Sequence, residues 1–176
     1  IQHTDCQIIV SDQNGMSLID GLHTGVDTNK VIDVDSAQHR DQLLQHRDAT
    51  LPEHEPDENS ILFLLFTSGS TSAPKAVVCT NQRMATASVR AGQIYGVTAD
   101  EVCYCPMPLF HGNALMACWG PALAVGATLV LRRKFSASNF MSDIRAHQCT
   151  YFTYVGRTIA YILGQPISPE DRNTTL

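Results

Sequence analysis

Short apolar runs alternate with amphipathic stretches along most of the chain. Strands are predicted at residues 6–10, 30–34, 61–66, 76–80, 102–105, 127–131 and 150–154. Helices are predicted between them, at residues 36–46, 81–95, 112–124, 138–147 and 156–163. Strands that take turns with helices predict an α/β fold, with a largely parallel sheet flanked by helices.

The clearest helical pattern lies between residues 81 and 95. Met84, Ala87, Ala91 and Ile94 recur at three- or four-residue intervals, which predicts one apolar helix face. Ser36 is placed to cap the helix at 36–46, and Ser136 or Ser138 to cap the helix at 138–147.

A polar stretch at residues 49–59, with two prolines, is predicted to be a surface linker. It divides the chain into an α/β segment at residues 1–59 and a second at 60–176, which we expect to be parts of one larger domain. Residues 1–60 hold 12 Asp and Glu against 3 Lys and Arg, whereas residues 61–176 hold 5 against 9. A cationic second segment suits an anionic nucleotide, although ordinary surface variation explains the same asymmetry.

The most informative stretch runs from Phe66 to Lys75, where an apolar strand enters a loop of small and hydroxylated residues. Gly69 lets the backbone approach an anion, and Lys75 can place its charge on a phosphate oxygen. Hydroxyls and N–H groups come from Thr67, Ser68, Ser70 and Thr71. This composition predicts a phosphate-binding loop, and a Ser/Thr-rich surface turn is the alternative.

The loop differs from a Walker A motif although the glycine-to-lysine spacing is the same. Pro74 precedes the lysine, and Ala76 stands where a magnesium-binding Ser or Thr is required. Proline disfavours helix at Ala73, and residues 76–80 are strand-like. A strand–loop–strand phosphate site is therefore the better interpretation.

Residues 67–77 resemble the signature loop of the acyl-adenylate-forming (AMP-binding) enzymes, a superfamily of acyl-CoA synthetases, luciferases and peptide adenylation domains. The matching positions are Thr67, Ser68, Gly69, Ser70, Thr71, Pro74 and Lys75. Ser72 and Ala76 depart from the pattern, because the family usually has glycine there. A positive φ at either position would cost a non-glycine residue about 1 kcal/mol.

A second match lies at residues 105–114, where Pro108-Leu109-Phe110-His111 is similar to a family segment. Residues 134–140 and 150–156 narrow the resemblance to the long- and very-long-chain fatty acyl-CoA synthetases, including the fatty acid transport protein branch. The resemblance covers residues 60–166, and residues 1–59 fit less specifically. It implies that the chain is part of the large N-terminal domain of such an enzyme.

The resemblance implies an ATP-dependent fatty acid–CoA ligase. ATP and a fatty acid would give an acyl-adenylate, and CoA would then take the acyl group. Thr67, Ser68, Gly69, Ser70, Thr71 and Lys75 would bind the nucleotide, His111 would be catalytic, and Tyr154, Val155 and Gly156 would contact the acyl chain. Mg²⁺ would be held by residues outside this chain, so no metal ligand is assigned within it.

Three alternatives stay open. His111 can instead cap the helix that follows it. The chain can be a non-catalytic nucleotide- or acyl-binding module. A serine hydrolase using Ser68 or Ser70 with His111 is disfavoured, because no Gly-x-Ser-x-Gly elbow is present.

The family's later motifs, with their magnesium-binding glutamate and catalytic lysine, are absent from the sequence. The chain also begins at Ile1 without a methionine. We therefore expect a fragment that is inactive alone and has the rest of a longer parent polypeptide as its partner.

Composition excludes several other functions. A pI near 5.7, with aromatics not interleaved with basic residues, argues against nucleic-acid binding. Six dispersed cysteines indicate a reducing, cytoplasmic location, and Cys103-Tyr104-Cys105 alone does not make a zinc site. The longest apolar stretch, residues 114–130, is broken by glycine and proline and is short for a membrane-spanning helix.

The basic cluster at residues 132–134 suits peripheral membrane contact or CoA phosphates, or is a solvated strand end.

Overall fold

The computed structural model describes residue 1, residues 4–67 and residues 75–176. These residues form two compact units, Ile1–His54 and Glu55–Leu176. The change from one unit to the other lies within the polar stretch at residues 49–59.

The first unit is a small parallel β–α–β arrangement. Its elements are β1 (Ile9–Ser11), α1 (Gln13–Ile19), a 3₁₀ turn (Thr28–Lys30), β2 (Val31–Asp33) and α2 (Ala37–Gln45). β1 and β2 pair in parallel. The Ser36 hydroxyl caps α2 by accepting the His39 N–H at 3.1 Å, as predicted. Helix α1 was not predicted, and it begins where Asp12 accepts the Gly15 N–H at 2.8 Å.

No described residue of this first unit is buried. Large apolar side chains stay open on both of its helices, with Leu18 78% exposed and Leu44 66% exposed. Because so little apolar surface is removed from water, the unit has no core that would stabilise it alone.

The second unit begins with an antiparallel hairpin of β3 (Ile61–Thr67) and β4 (Lys75–Thr80). Its strands were predicted within a residue, but their pairing makes the set of sheets mixed rather than wholly parallel. The apolar run of β3 was expected to be buried, whereas Ile61 is 61% exposed and Phe66 is 50% exposed. The exposure is not uniform, because Cys79 of β4 is buried and the Phe63 ring contacts Trp119.

Helix α3 (Asn81–Tyr95) has the predicted bounds, and the Thr80 hydroxyl caps it by accepting the Arg83 N–H. Its buried face differs from the predicted one. Met84, Ser88 and Gly92 are buried, whereas Ile94 is 76% exposed. Small residues form this face because α3 packs closely against the segment around Gly120: a Cβ added to Gly120 would lie 2.3 Å from the Ser88 hydroxyl.

A three-stranded parallel sheet, in the order β6–β5–β7, forms the centre of the second unit. Its strands are β5 (Val102–Cys105), β6 (Thr128–Leu131) and β7 (Tyr151–Phe152). The connecting helices are a π-helical segment (Ala114–Trp119) continued by α4 (Gly120–Val125), and then α5 (Ala137–His147). β7 is shorter than the predicted strand at 150–154.

Two apolar clusters enclose β5. On one side Cys103, Cys105 and Cys118 pack with neighbouring apolar groups. On the other side Tyr104 packs with Phe140 and Ile144 of α5. The chain then continues through α6 (Thr158–Leu163), which begins two residues later than predicted, to a 3₁₀ turn at Pro169–Arg172. Ser136 is the cap of α5, which settles the choice between Ser136 and Ser138.

Candidate functional site

The carboxyl ends of the parallel strands define the candidate site. β5, β7 and β6 run in the same direction, so the segments that follow them leave the sheet at one edge. Ligands of α/β proteins bind at this edge, because loops and helix starts converge there. Here the edge receives His111 after β5, Arg132 after β6 and Thr153 after β7.

His111 is half-buried in the turn between β5 and the π-helical segment. Its backbone N–H donates to the Pro108 carbonyl at 2.9 Å, and its own carbonyl accepts the Leu115 N–H at 3.2 Å. The imidazole Nδ1 accepts the backbone N–H of Asn113 at 3.2 Å. These bonds fix both the backbone and the ring at the start of the helix, which is also how a helix-capping histidine would be held.

Asn113 joins this turn to the end of β7. Its side-chain Oδ1 accepts the Thr153 hydroxyl at 3.1 Å, across a separation of 40 residues. The Thr153 hydroxyl also contacts the thiol of Cys118. The bond between Asn113 and Thr153 thus connects the ends of two adjacent parallel strands beside His111.

The helix that follows His111 is irregular. Residues Ala114–Trp119 are π-helical, a geometry that often accompanies functional sites because it changes the direction of side chains within a helix. At its end the Trp119 ring meets the Phe63 ring edge-on, with centroids 6.5 Å apart. This contact connects the helix of the candidate site to strand β3, which leads into the predicted phosphate-binding loop.

The predicted acyl-binding residues form an exposed turn after β7. Tyr154 is 52% exposed, and its ring stacks on Phe152 with centroids 5.7 Å apart. Val155 accepts the Thr158 hydroxyl at 2.8 Å, and Gly156 has a φ of +57°. The turn therefore lies at the same sheet edge as His111 and carries apolar surface open to solvent.

The ends of the predicted phosphate-binding loop are held together by the hairpin. Thr67 and Lys75 are cross-strand partners at the open end of β3 and β4, and Lys75 is exposed. Ser68, Gly69, Ser70 and Thr71, which are predicted to bind the nucleotide, lie outside the described residues, as does Ser72. Ala76 pairs with Phe66 in extended strand and has no positive φ, so its departure from glycine costs no backbone strain.

Arg132 is committed to a structural network. Its Nε lies 3.1 Å from Asp143 Oδ2, which also accepts the Tyr104 hydroxyl at 2.7 Å. Burial raises the pKa of Tyr104 well above its ordinary value, and the bond to Asp143 raises it further. Arg133 and Lys134 of the basic cluster are exposed, and the Arg132 side chain is 40% exposed although it is paired with Asp143.

The buried cysteines serve the core. Cys118 is wholly buried, and its bond to Cys105 together with burial raises its pKa, so the thiol stays protonated. All six cysteines are free. Within residues 4–67 and 75–176, no group of three or more His, Cys, Asp or Glu side chains is placed to hold a metal ion. Among these residues, no helix is both long and apolar enough to cross a membrane.

Comparison with known proteins decides the family. The profile of the family described as AMP-binding enzyme matches residues 1–174. The chain belongs to the AMP-binding enzyme family. This agrees with the resemblance that the signature loop and the His111 segment indicated.

Three relatives show the breadth of this family around the chain. A steroid-22-oyl-CoA synthetase from Rhodococcus jostii is 44% identical over 100% of this chain and 32% of its own length. A medium/long-chain-fatty-acid–CoA ligase, FadD17 from Mycobacterium marinum, is 38% identical over 100% of this chain and 34% of its own. Mouse long-chain fatty acid transport protein 6 is 37% identical over 61% of this chain and 17% of its own. The chain therefore spans about a third of the length of the first two relatives.

A solved structure supports the fold. A double mutant of the o-succinylbenzoate CoA synthetase of Bacillus subtilis superposes with a TM-score of 0.73 at 24% identity, covering 97% of this chain and 33% of that protein. At this identity the likeness shows the α/β fold of adenylate-forming enzymes. It confirms the predicted fold class.

Neither Thr153 nor Asn113 was assigned to the site from the sequence. A usable signal was present only for Asn113, a small polar residue in the segment after the strand predicted at 102–105, because Thr153 fell inside the strand predicted at 150–154. Nothing in the sequence indicated that the two side chains meet.

Proposed function

We propose that the full protein containing this chain is an AMP-forming acid–thiol ligase that activates a fatty acid as its CoA thioester. The observation that carries the proposal is the match over the whole chain to two CoA ligases, at 44% and 38% identity. The candidate site supports it, because the ends of the signature loop are held at one hairpin and His111 stands at the ligand-binding edge of the sheet.

The first half-reaction is adenylation. A carboxylate oxygen of the acid attacks the α-phosphorus of ATP, an acyl–phosphate bond forms, and pyrophosphate leaves with the electrons of the broken bond. Such a displacement needs positioning and charge stabilisation rather than covalent help from the protein. We assign phosphate binding to Thr67, Ser68, Gly69, Ser70, Thr71 and Lys75.

In the second half-reaction the CoA sulfur attacks the acyl carbonyl. The thioester forms, AMP leaves, and the thiol proton passes to solvent or to a base. Mg²⁺ would neutralise phosphate charge in the first half. Its ligands are assigned to parts of the parent polypeptide outside this chain, as the family resemblance implies.

His111 is assigned to the reacting end of the substrate, and Tyr154, Val155 and Gly156 to its acyl part. The exposed ring of Tyr154 and the turn after it provide apolar surface at the same edge as His111. We assign both chain segments to one larger N-terminal domain, and the exposed apolar surface of the first unit supports this proposal. We place the protein in the cytoplasm, with peripheral membrane contact through Arg133 and Lys134.

A steroid side-chain acid is a second candidate substrate. The specific observation in its favour is that this chain is 44% identical to the steroid-22-oyl-CoA synthetase and 38% identical to the fatty-acid ligase of Mycobacterium marinum, each over the whole chain. Both candidates are large apolar molecules ending in a carboxylate, so the proposed chemistry is the same for each.

The test is product formation by the full-length protein. It would be incubated with ATP, Mg²⁺, CoA and either a long-chain fatty acid or a steroid acid with a carboxylated side chain. AMP and acyl-CoA would be measured by mass spectrometry. A thioester of the fatty acid supports the proposal, a thioester of the steroid acid alone moves the substrate to the second candidate, and neither product rejects the ligase function in favour of a binding module.

Lys75→Ala tests the phosphate-binding assignment in the same assay. Loss of a charge-assisted contact costs about 1.5–3 kcal/mol, so kcat/KM for ATP should fall about tenfold to a hundredfold. Arg90→Ala, which removes an exposed cation from α3, is the matched control and should leave kcat/KM unchanged. Equal ATP kinetics in the two variants would remove Lys75 from the phosphate site.

A further inference from the structure

The bond between Asn113 and His111 determines which imidazole nitrogen carries the proton. Nδ1 accepts the Asn113 backbone N–H at 3.2 Å. A backbone N–H can only donate, so Nδ1 must offer a lone pair and cannot itself carry hydrogen. In the neutral ring the hydrogen therefore lies on Nε2, which faces away from this bond.

The position of that backbone N–H is fixed from two directions. Asn113 has helical backbone angles, φ −62° and ψ −45°, at the start of the π-helical segment. Its side chain is tied to β7 through the 3.1 Å bond from the Thr153 hydroxyl. Thr153 is itself half-buried and contacts Cys118, whose side chain is fully buried. The chain from Cys118 through Thr153 to Asn113 anchors the donor that selects the His111 tautomer.

We propose that Asn113 and Thr153 are positioning residues that hold His111 in the Nε2-protonated form, so that it presents an N–H donor to an oxygen of the substrate. This inference rests on the proposed function, because the acceptor of the His111 hydrogen bond would be a substrate oxygen. That oxygen belongs either to the carboxylate of the acid or to the phosphoryl group of its adenylate. In this role His111 donates a hydrogen bond and does not remove a proton. An Nε2–H group suits such an oxygen because the negative charge on the oxygen strengthens the hydrogen bond.

Each variant for the test changes one side chain of the full-length protein. Thr153→Val deletes the hydroxyl with little change of shape, and Thr153→Ser retains it. Asn113→Ala removes the acceptor from the other side and serves where Thr153→Val does not fold. Thr175→Val is the matched control, since it deletes a hydroxyl that donates to the Cys149 carbonyl at 2.8 Å away from His111.

The direct readout is ¹⁵N NMR of protein labelled in its histidine rings. The His111 signals are assigned by their loss in His111→Gln. In the unmodified protein and in Thr153→Ser we expect a protonated Nε2 and an unprotonated Nδ1. In Thr153→Val and Asn113→Ala both nitrogens should move toward the average of the two tautomers, whereas Thr175→Val should leave them in place.

The kinetic readout is single-turnover acyl-adenylate formation. Losing a neutral hydrogen bond should slow this step about threefold to tenfold in Thr153→Val, with KM for ATP unchanged and the rate restored in Thr153→Ser. A proton on Nδ1 in the unmodified protein overturns the proposal, and so does a Thr153→Val protein that keeps both tautomer and rate. If no acid is adenylated at all, the proposed function fails, while the NMR result still decides whether Asn113 and Thr153 set the tautomer.

Discussion

Removing one hydroxyl from the centre of the parallel sheet should weaken the second unit by an amount that depends on the charge of its partner. Tyr104 is fully buried on β5 and donates to Asp143 of α5 at 2.7 Å. Tyr104→Phe deletes this bond and keeps the ring contact with Phe140, whose centroid lies 5.6 Å away. The substitution therefore tests the bond rather than the packing.

The expected magnitude follows from the acceptor. Hydrogen bonds to charged groups contribute about 1.5–3 kcal/mol, against about 0.5–1.5 kcal/mol for neutral pairs. Asp143 keeps its 3.1 Å ion pair with Arg132, and its side chain is 14% exposed, so water reaches it. Because the Asp143 carboxylate is not left unpaired, we expect Tyr104→Phe to lower the free energy of unfolding by an amount near the lower limit, about 1.5–2 kcal/mol.

Tyr151→Phe is the matched control. The Tyr151 hydroxyl donates at the same 2.7 Å distance, but to the neutral carbonyl of Ala117. Its loss should cost about 1 kcal/mol. The comparison holds substitution, bond length and sheet constant and changes the charge of the acceptor.

Hydrogen exchange of the full-length protein, followed by mass spectrometry, measures the local free energy of opening. In Tyr104→Phe, peptides covering β5 and α5 should exchange about tenfold to thirtyfold faster, since about 1.4 kcal/mol corresponds to a factor of ten. In Tyr151→Phe, peptides covering β7 and the π-helical segment should accelerate only about fivefold. An equal or larger effect in the control would refute the reasoning.

Three further predictions concern packing, pH and the site. Gly120→Ala should lower the free energy of unfolding by about 1–3 kcal/mol, because its Cβ would lie 2.3 Å from the Ser88 hydroxyl. Gly92→Ala is the control and should be neutral or stabilising, because its Cβ would meet nothing closer than 3.9 Å. Urea unfolding compares the two variants, and equal midpoints would contradict the close packing at Gly120. Burial raises the pKa of the Cys103 thiol to about 11 from an ordinary 9.0, so as the pH rises the thiol ionises first in the unfolded state. The contribution of Cys103 to the free energy of unfolding should therefore be fully present below pH 9 and fall as the pH rises toward 11. In Cys103→Ala, the loss of stability between pH 9 and 11 should be smaller. His111→Ala should slow acyl-adenylate formation far more than it lowers the melting temperature, and the opposite result would make His111 a helix cap.

The sequence was sufficient where local signals and the fold agree. Helix α3 has the predicted bounds, and the π-helical segment and α4 occupy the predicted helical stretch. The two strands that flank residues 68–74 were predicted, and the structure pairs them with Thr67 and Lys75 as partners at their ends. Strand patterns and turn chemistry determine such features, and both can be read within a few residues.

The sequence was insufficient where contacts with other segments determine which residues are buried or where a helix forms. Ile94 continues an apolar periodicity yet is exposed, because α3 packs through Ser88 and Gly92 against the close backbone of Gly120. Helix α1 depends on the cap at Asp12, since its own residues include a poor helix former at Gly15.

The bond between Asn113 and Thr153 was equally beyond reach. It joins residues 40 positions apart, and no periodicity reports such a contact. Predicting it requires the order of the parallel strands, which places the ends of β5 and β7 side by side.

Exchange of pyrophosphate into ATP by the full-length protein is the most direct test of the central claim. Labelled pyrophosphate should enter ATP only when an apolar carboxylic acid is present, because formation of the acyl-adenylate is reversible. The exchange should fall at least about tenfold in Lys75→Ala, for the loss of one charge-assisted phosphate contact. A folded protein that binds ATP but exchanges no label with any fatty or steroid acid would contradict the account and show a nucleotide-binding module instead.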